Sequence, residues 1–318
     1  MVRLISVMSE LGAGTRGASL GLEAMRAASY SVDPDFFKKY SPLTVKNEND
    51  LLQKHVDNIY GKRIRGVLKM YRKISASIAG VMEEGEFPLV ISGDHSNAGG
   101  TIAGIKEAFP DLRLGVVWID AHADLHSPYT SPSGNMHGMP LATALGMDNT
   151  EKQINPPKDM TTRTWNKLKG DPPRVLPEDL VFIGVRSTED PEDHIIQKFH
   201  IPNFPTQQLR TEGVKSILQK VQEHLSNCDL VYVSFDVDSM DPTVSRGTGT
   251  PVDGGLTEDE ARELLAGIAQ WPKVSALEFT EINPLLDDKG NSMGEVAFRL
   301  LKNTVKVLEK KRSKPSKA

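Results

Sequence analysis

Short apolar runs alternate along the chain with longer stretches whose apolar residues recur at helical spacing. Leu89-Val90-Ile91 and residues 114–119, 180–183, 230–235 and 274–277 read as strands, and the apolar start of the chain, residues 1–8, reads as a first one. Several of these runs are apolar nearly throughout, as expected for strands covered on both faces. Between them, Ile64, Val67, Leu68, Tyr71, Ile74, Ile78 and Val81 recur at three- and four-residue steps and predict one stripe on a long helix. Thr257-Glu258-Asp259-Glu260 has the spacing of a capping box before an apolar segment at 261–268. Further helices are expected at 214–225 and 295–308, with short ones near 138–145 and 162–169. Such alternation implies a parallel sheet with helices on both faces.

Length and composition narrow this picture. The 318 residues permit two domains. No linker-like shift, repeat or low-complexity segment divides them, so a single α/β domain over 1–318 is expected. The basic end, 310–318, is read as a frayed, solvated tail. One cysteine, Cys228, excludes an intramolecular disulfide and a multi-thiolate metal site, and it reads as a small buried residue. The net charge of −4 gives no electrostatic reason to expect nucleic acid. No stretch approaches a transmembrane helix and the first apolar run is too short for a signal peptide, so a cytoplasmic protein is expected.

The residues just after the strands change the picture most, because parallel sheets bind ligands beyond their carboxyl ends. Ser92-Gly93-Asp94-His95-Ser96 follows one strand and Asp120-Ala121-His122-Ala123-Asp124 the next. Asp236-Val237-Asp238 follows a third, and Glu278-Phe279-Thr280-Glu281 lies at a fourth. In extended backbone, residues two apart point to one side, so Asp120, His122 and Asp124 converge, and Asp236 with Asp238 repeat the device. A turn or N-cap role explains a single aspartate, but not both clusters after strands. Packed carboxylates need a counter-charge, and no lysine or arginine is interleaved, which points to divalent metal. His95, His122, Asp120, Asp124, Asp236 and Asp238 are too many ligands for one tetrahedral zinc. They suit a pair of metals, with manganese favoured by the mixed oxygen and imidazole set. The Ser-, Thr-, Asn- and His-rich loop after Asp124 is suited to hydrogen-bonding a polar ligand, and His137 within it is a candidate proton shuttle.

Gly93-Asp94-His95-Ser96, Asp120-Ala121-His122-Ala123-Asp124 and the run from Ser234 to Pro242 resemble, in order and separation, the three signatures of the ureohydrolase (arginase/agmatinase) family. The resemblance implies a three-layer αβα fold with a mainly parallel, roughly eight-stranded sheet. It implies two manganese ions per subunit, with His95 and Asp124 on one, His122 and Asp238 on the other, and Asp120 and Asp236 bridging. Asp124 would also accept a hydrogen bond from the bridging hydroxide. Glu281 would pair with the substrate guanidinium, and His137 would relay a proton to the leaving amine. Ser133-Gly134-Asn135-Met136-His137 resembles the arginase version of the specificity loop, whereas agmatinase-like members usually read His-Gly-Thr. That version implies that Ser133 and Asn135, helped by Ser131, bind an α-carboxylate. Asp190 and Asp193 match the acids near the α-amino group once a one-residue insertion is allowed. His126 stands where arginases commonly carry Asn and would donate to the carboxylate. The expected reaction is hydrolysis of the L-arginine guanidinium to L-ornithine and urea in a homo-oligomer, trimer or hexamer. The alternatives within the family are agmatinase, guanidinobutyrase and formimidoylglutamase.

A rival reading comes from Gly12-Ala13-Gly14-Thr15-Arg16-Gly17, a literal G-x-G-x-x-G after a strand with Asp33 and Asp35 roughly 20 residues on. It suggests dinucleotide binding. No hydride-transfer site accompanies it, and a Gly-rich active-site loop is the preferred reading.

Overall fold

The computed structural model describes residues 1–313. The apolar runs lie side by side in one all-parallel sheet. Its strands are β1 (Val2–Val7), β2 (Leu43–Thr44), β3 (Phe87–Ser92), β4 (Leu114–Ile119), β5 (Leu180–Ile183), β6 (Asn203–Phe204), β7 (Leu230–Asp236) and β8 (Val274–Thr280), in the order β2-β1-β3-β8-β7-β4-β5-β6. The helices are α1 (Gly21–Val32), α2 (Phe36–Lys39), α3 (Ile64–Glu83), α4 (Ala98–Ala108), α5 (Pro140–Ala144), α6 (Asp159–Lys169), α7 (Asp190–Phe199), α8 (Thr206–Glu212), α9 (Val214–His224), α10 (Glu258–Gln270) and α11 (Ser292–Arg312).

Alternation along each strand sends side chains to two cores. Leu89, Ile91, Val117 and Ile119 pack with α1, α2 and α8 to α11. Val90, Val116 and Trp118 pack with α3 to α7 on the opposite face. The result is three layers, as expected. Leu89, Val90, Ile91, Val116, Val117, Trp118 and Ile119 are all fully buried. That explains why these strands read as continuous apolar runs rather than alternating ones.

The stripe from Ile64 to Val81 becomes α3, and the capping box at Thr257 forms with both reciprocal bonds, starting α10. Four elements depart from expectation. The edge strands β2 and β6 have only two residues each, too few for a period to show. Helix α4 carries three glycines, a composition that argues against a helix. Here they allow close approach, since a Cβ at Gly99 would collide with the Tyr71 phenol of α3. The last helix runs through Lys310, Lys311 and Arg312 rather than fraying. Lys311 Nζ donates to the Trp271 carbonyl at 2.7 Å. Residues 314–318 of the expected tail lie outside the described residues.

Cys228 is buried, and its thiol is pushed up to about 12, chiefly by burial and secondarily by Asp179, to which it donates. Among the described residues, no helix is long and apolar enough to cross a membrane.

Candidate active site

The order β3-β8-β7-β4 makes neighbours of the four strands that the sequence marks as chemically loaded. Their carboxyl ends form one floor. His95 lies in the first turn after β3, a turn fixed by Asp94, whose side chain accepts from Ser96 N at 2.9 Å. Its ring stacks on Trp118 of β4 at 4.0 Å, and its Nε2 meets Ser234 Oγ of β7 at 2.7 Å. The free nitrogen, Nδ1, then faces three carboxylate oxygens: Asp120 at 3.0 Å, Asp124 at 3.1 Å and Asp236 at 3.1 Å. Beside this group, His122 Nδ1 stands 3.0 Å from Asp238 Oδ2 and 3.5 Å from Asp120 Oδ1. Asp120 therefore belongs to both clusters.

The convergence is built by turns, not by the extended backbone that the spacing suggested. Strand β4 ends at Ile119. Asp120 Oδ1 accepts from His122 N at 2.7 Å, and Asp236 Oδ1 accepts from Asp238 N at 2.8 Å. Each aspartate thus uses one oxygen to hold its turn and offers the other to the site. Asp124 is swung in by a left-handed backbone, φ 52°, which aspartate tolerates better than most residues.

A divalent cation fits this set on two observations. His95 Nδ1 and Asp120 Oδ2 are buried without a hydrogen-bond partner. The trios His95/Asp120/Asp236 and Asp120/His122/Asp238 each bring one ligand atom per residue within 4.8 Å of one another. Without a cation, burial would disfavour an imidazolium at His95, but Asp120, Asp124 and Asp236 outweigh it and raise its pKa well above the usual value. Asp124 is pushed up to about 6 by burial and by the charge of Asp120.

Above the floor is a cavity of about 180 Å³ lined by both clusters, by His126, Ser131, Ser133, Asn135 and His137, and by Glu189 and Glu192. His137 Nδ1 meets Glu281 Oε1 at 3.2 Å. Burial lowers its pKa, but Glu281, Asp124 and Asp94 lift it to about 9. Glu281 has φ 65° and is pinned by two backbone bonds: its Oε1 accepts from His95 N and its own N donates to the Gly93 carbonyl, both at 2.9 Å.

Three expected residues do not line the cavity, and one of them, Glu281, stands behind His137. The Asp190 side chain is exposed and pairs with Lys152 at 2.9 Å, and Asp193 accepts from Thr188 at 2.7 Å. Glu189 and Glu192, each one residue earlier, line the cavity instead. The Asp-Pro pair opens α7, while Glu189 and Glu192 form its capping box. A Glu-x-x-Glu pair ahead of a helix was the available signal. His126 does line the cavity, yet its Nε2 points to Glu189 at 3.1 Å and Glu192 at 3.6 Å, on the acidic side rather than toward Ser133. Thr250, unforeseen, donates to Asp238 Oδ2 at 2.9 Å.

Glu192 carries a testable consequence. Burial, then the charge of Asp124, pushes its carboxyl up to about 8, against an unfolded value near 4.5. Between those values the folded chain binds the extra proton, so stability falls as pH rises through this window. Glu192→Gln keeps the capping-box acceptor for Glu189 N and removes that titration, a gain that outweighs the lost bond from Leu125 N at high pH. In metal-free protein it is expected to melt about 5 °C higher than wild type at pH 8.5, with no gain at pH 4. Scanning calorimetry at the two pH values checks this, and equal melting at pH 8.5 contradicts it.

The Gly-rich loop closes the site from beneath. Gly12 N donates to Asp94 Oδ2 at 2.9 Å, and its carbonyl accepts from His137 N at 3.2 Å. The Gly12 amide that a bound pyrophosphate would need is thus taken by Asp94, and the loop is tied to the His137 turn.

Fold and site together define an open-sheet α/β protein that carries two His–Asp clusters able to hold divalent cations at its carboxyl edge. The Arginase family model matches residues 1–306. The chain is 33% identical to the arginase of Bacillus subtilis over 311 residues, which is 95% of this chain and 96% of that protein. It also superposes on the crystal structure of arginase from Bacillus subtilis with a TM-score of 0.79 at 32% identity, covering 96% and 98% of the two chains. The Entamoeba histolytica arginase, solved in complex with L-ornithine, gives 0.79 at 25% identity with the same coverage. The chain belongs to the arginase family.

Proposed function

We propose that the protein is an arginase that hydrolyses the guanidinium of L-arginine to L-ornithine and urea. One observation carries the choice of substrate. The cavity lining has two unlike sets of residues, the acidic Glu189 and Glu192 and the neutral Ser131, Ser133 and Asn135. An α-ammonium suits the first set and an α-carboxylate the second. Agmatine would leave the second set without a partner. The bound ornithine of the Entamoeba histolytica relative supports the same class of ligand.

His95 and Asp124 would hold one manganese, His122 and Asp238 the other, and Asp120 and Asp236 would be shared. Bound there, such ions supply the counter-charge for the carboxylates and bring the pKa of water toward neutrality. The residues of the chain do the rest. Glu281 pairs its charge with the guanidinium from behind His137, its Oε1 still accepting from His95 N. Asp124 accepts a hydrogen bond from the attacking water. His137, protonated below about pH 9, gives its proton to the leaving amine. Ser133 and Asn135, with Ser131 bracing the loop, orient the carboxylate. Glu189 and Glu192 receive the α-ammonium, in the role expected of Asp190 and Asp193. A cytoplasmic trimer or hexamer is the assembly consistent with this reading.

The direct test is urea release from L-arginine with added manganese, run beside agmatine, guanidinobutyrate and formimidoylglutamate. L-Arginine is expected to be preferred. Turnover of one of the others with none of L-arginine overturns the reading.

A further inference from the structure

The cavity is electrostatically lopsided. With Asp120, Asp124, Asp236 and Asp238 balanced by cations, Glu189 and Glu192 are the remaining acidic lining, and the rim where an α-carboxylate would sit offers only neutral groups. A substrate anion entering this field needs a nearby positive charge. One stands directly behind the rim. Lys62 Nζ donates to Asn135 Oδ1 at 3.0 Å, and Lys62 N donates to the Gly134 carbonyl at 2.8 Å.

Lys62 is the second residue before α3 and lies outside every motif of the sequence. It is half-buried and, among the described residues, takes part in no ion pair. The turn that carries it is fitted to the loop tip. Gly134 has φ 68°, and a side chain there would collide with the Ile59 carbonyl. An ammonium can only donate, so it holds the Asn135 amide with the oxygen toward Lys62 and the NH2 group turned away as a donor. The charge and the orientation act in the same direction. Both favour an anion at the rim.

We propose that Lys62 is a specificity-determining residue, selecting substrates that carry an anionic group at the end remote from the guanidine. It acts through the Asn135 amide and through its own field. This rests on the assignment of an α-carboxylate to the Ser133–Asn135 rim.

The test compares wild-type enzyme, Lys62→Met and Lys62→Arg, all manganese-loaded. Methionine keeps the aliphatic stem and the backbone donor while removing the charge. For L-arginine, Lys62→Met is expected to raise KM about tenfold while kcat changes less than about threefold, the size of one partly buried charge contact. Inhibition by L-ornithine should weaken about tenfold. Inhibition by putrescine, which lacks the carboxylate, should change less than about twofold, and Lys62→Arg should recover most of the loss. A Lys62→Met enzyme that still discriminates ornithine from putrescine as wild type does overturns the proposal. So does equal weakening of both ligands with a matching loss of kcat, which marks a merely structural lysine. Wild-type enzyme that binds neither ligand and hydrolyses no L-arginine instead overturns the substrate assignment itself. Ligand-induced thermal shifts with ornithine and putrescine read the Lys62 effect without turnover.

Discussion

Asp124→Asn is expected to lower kcat/KM for L-arginine by about 10³-fold while leaving the protein folded. The loss follows from the position of the carboxylate. Its Oδ2 is one of three oxygens around His95 Nδ1, and the proposed reaction also needs it to accept a hydrogen bond from water. An amide is a weaker cation ligand and a poorer acceptor. The fold should survive because asparagine, like aspartate, tolerates the left-handed backbone at this position. The backbone bond from Leu141 N to the Asp124 carbonyl, 3.2 Å, is also untouched. Stability gives the sharper signature. Burial and the charge of Asp120 raise the Asp124 pKa to about 6, so at pH 7 the ionised form is a liability in the metal-free fold. Metal-free Asp124→Asn should therefore melt at or above wild type at pH 7. Loss of urea release together with unchanged or raised melting is the expected pair of results. Full activity in the variant removes Asp124 from the site chemistry.

Much of this site is legible before any coordinates are known, for reasons visible in particular residues. His95, Asp120, His122, Asp124, Asp236 and Asp238 sit at ends of continuous apolar runs, and the parallel-sheet rule places such residues on one edge. What the sequence leaves open is adjacency. That β8 lies between β3 and β7 is a topological fact, and it brings Glu281 to His137. The choice between a turn role and a ligand role for Asp120 and Asp236 also turns out to be no choice. Each carboxylate has two oxygens, and each role takes one. The placement of Asp190 has a physical cause as well. It starts α7 and faces solvent, whereas the cavity is lined by the capping pair that precedes and follows it, Glu189 and Glu192. Lys62 was illegible because it belongs to no cluster. Its importance comes from contact with a loop about 70 residues away in the chain.

Removing divalent cations is expected to abolish activity and lower the melting temperature by about 10 °C or more. The four buried aspartates explain both effects. Asp236 is forced well above the ordinary carboxylate pKa by burial and by Asp238 and Asp120, a sign that the cluster lacks positive charge in the metal-free fold. His95 and His122 compensate by holding protons, with His122 lifted to about 12 by Asp238 and Asp120 despite its burial. Cations must displace those protons, because only the neutral imidazole is a ligand. A site occupied at about 1,000 times its Kd adds about 4 kcal/mol to stability, worth about 10 °C in a chain of this size. Calorimetry of chelated protein, repeated after adding manganese, magnesium or zinc, measures this. Manganese should restore more than magnesium, since one nitrogen ligand stands in each cluster. Chelated and manganese-loaded protein melting together would mean that the His–Asp pairs satisfy one another and the floor is a salt-bridge network. Asp124→Asn separates the cases further. As a ligand variant it should gain less from manganese than wild type, even though its metal-free form is no less stable.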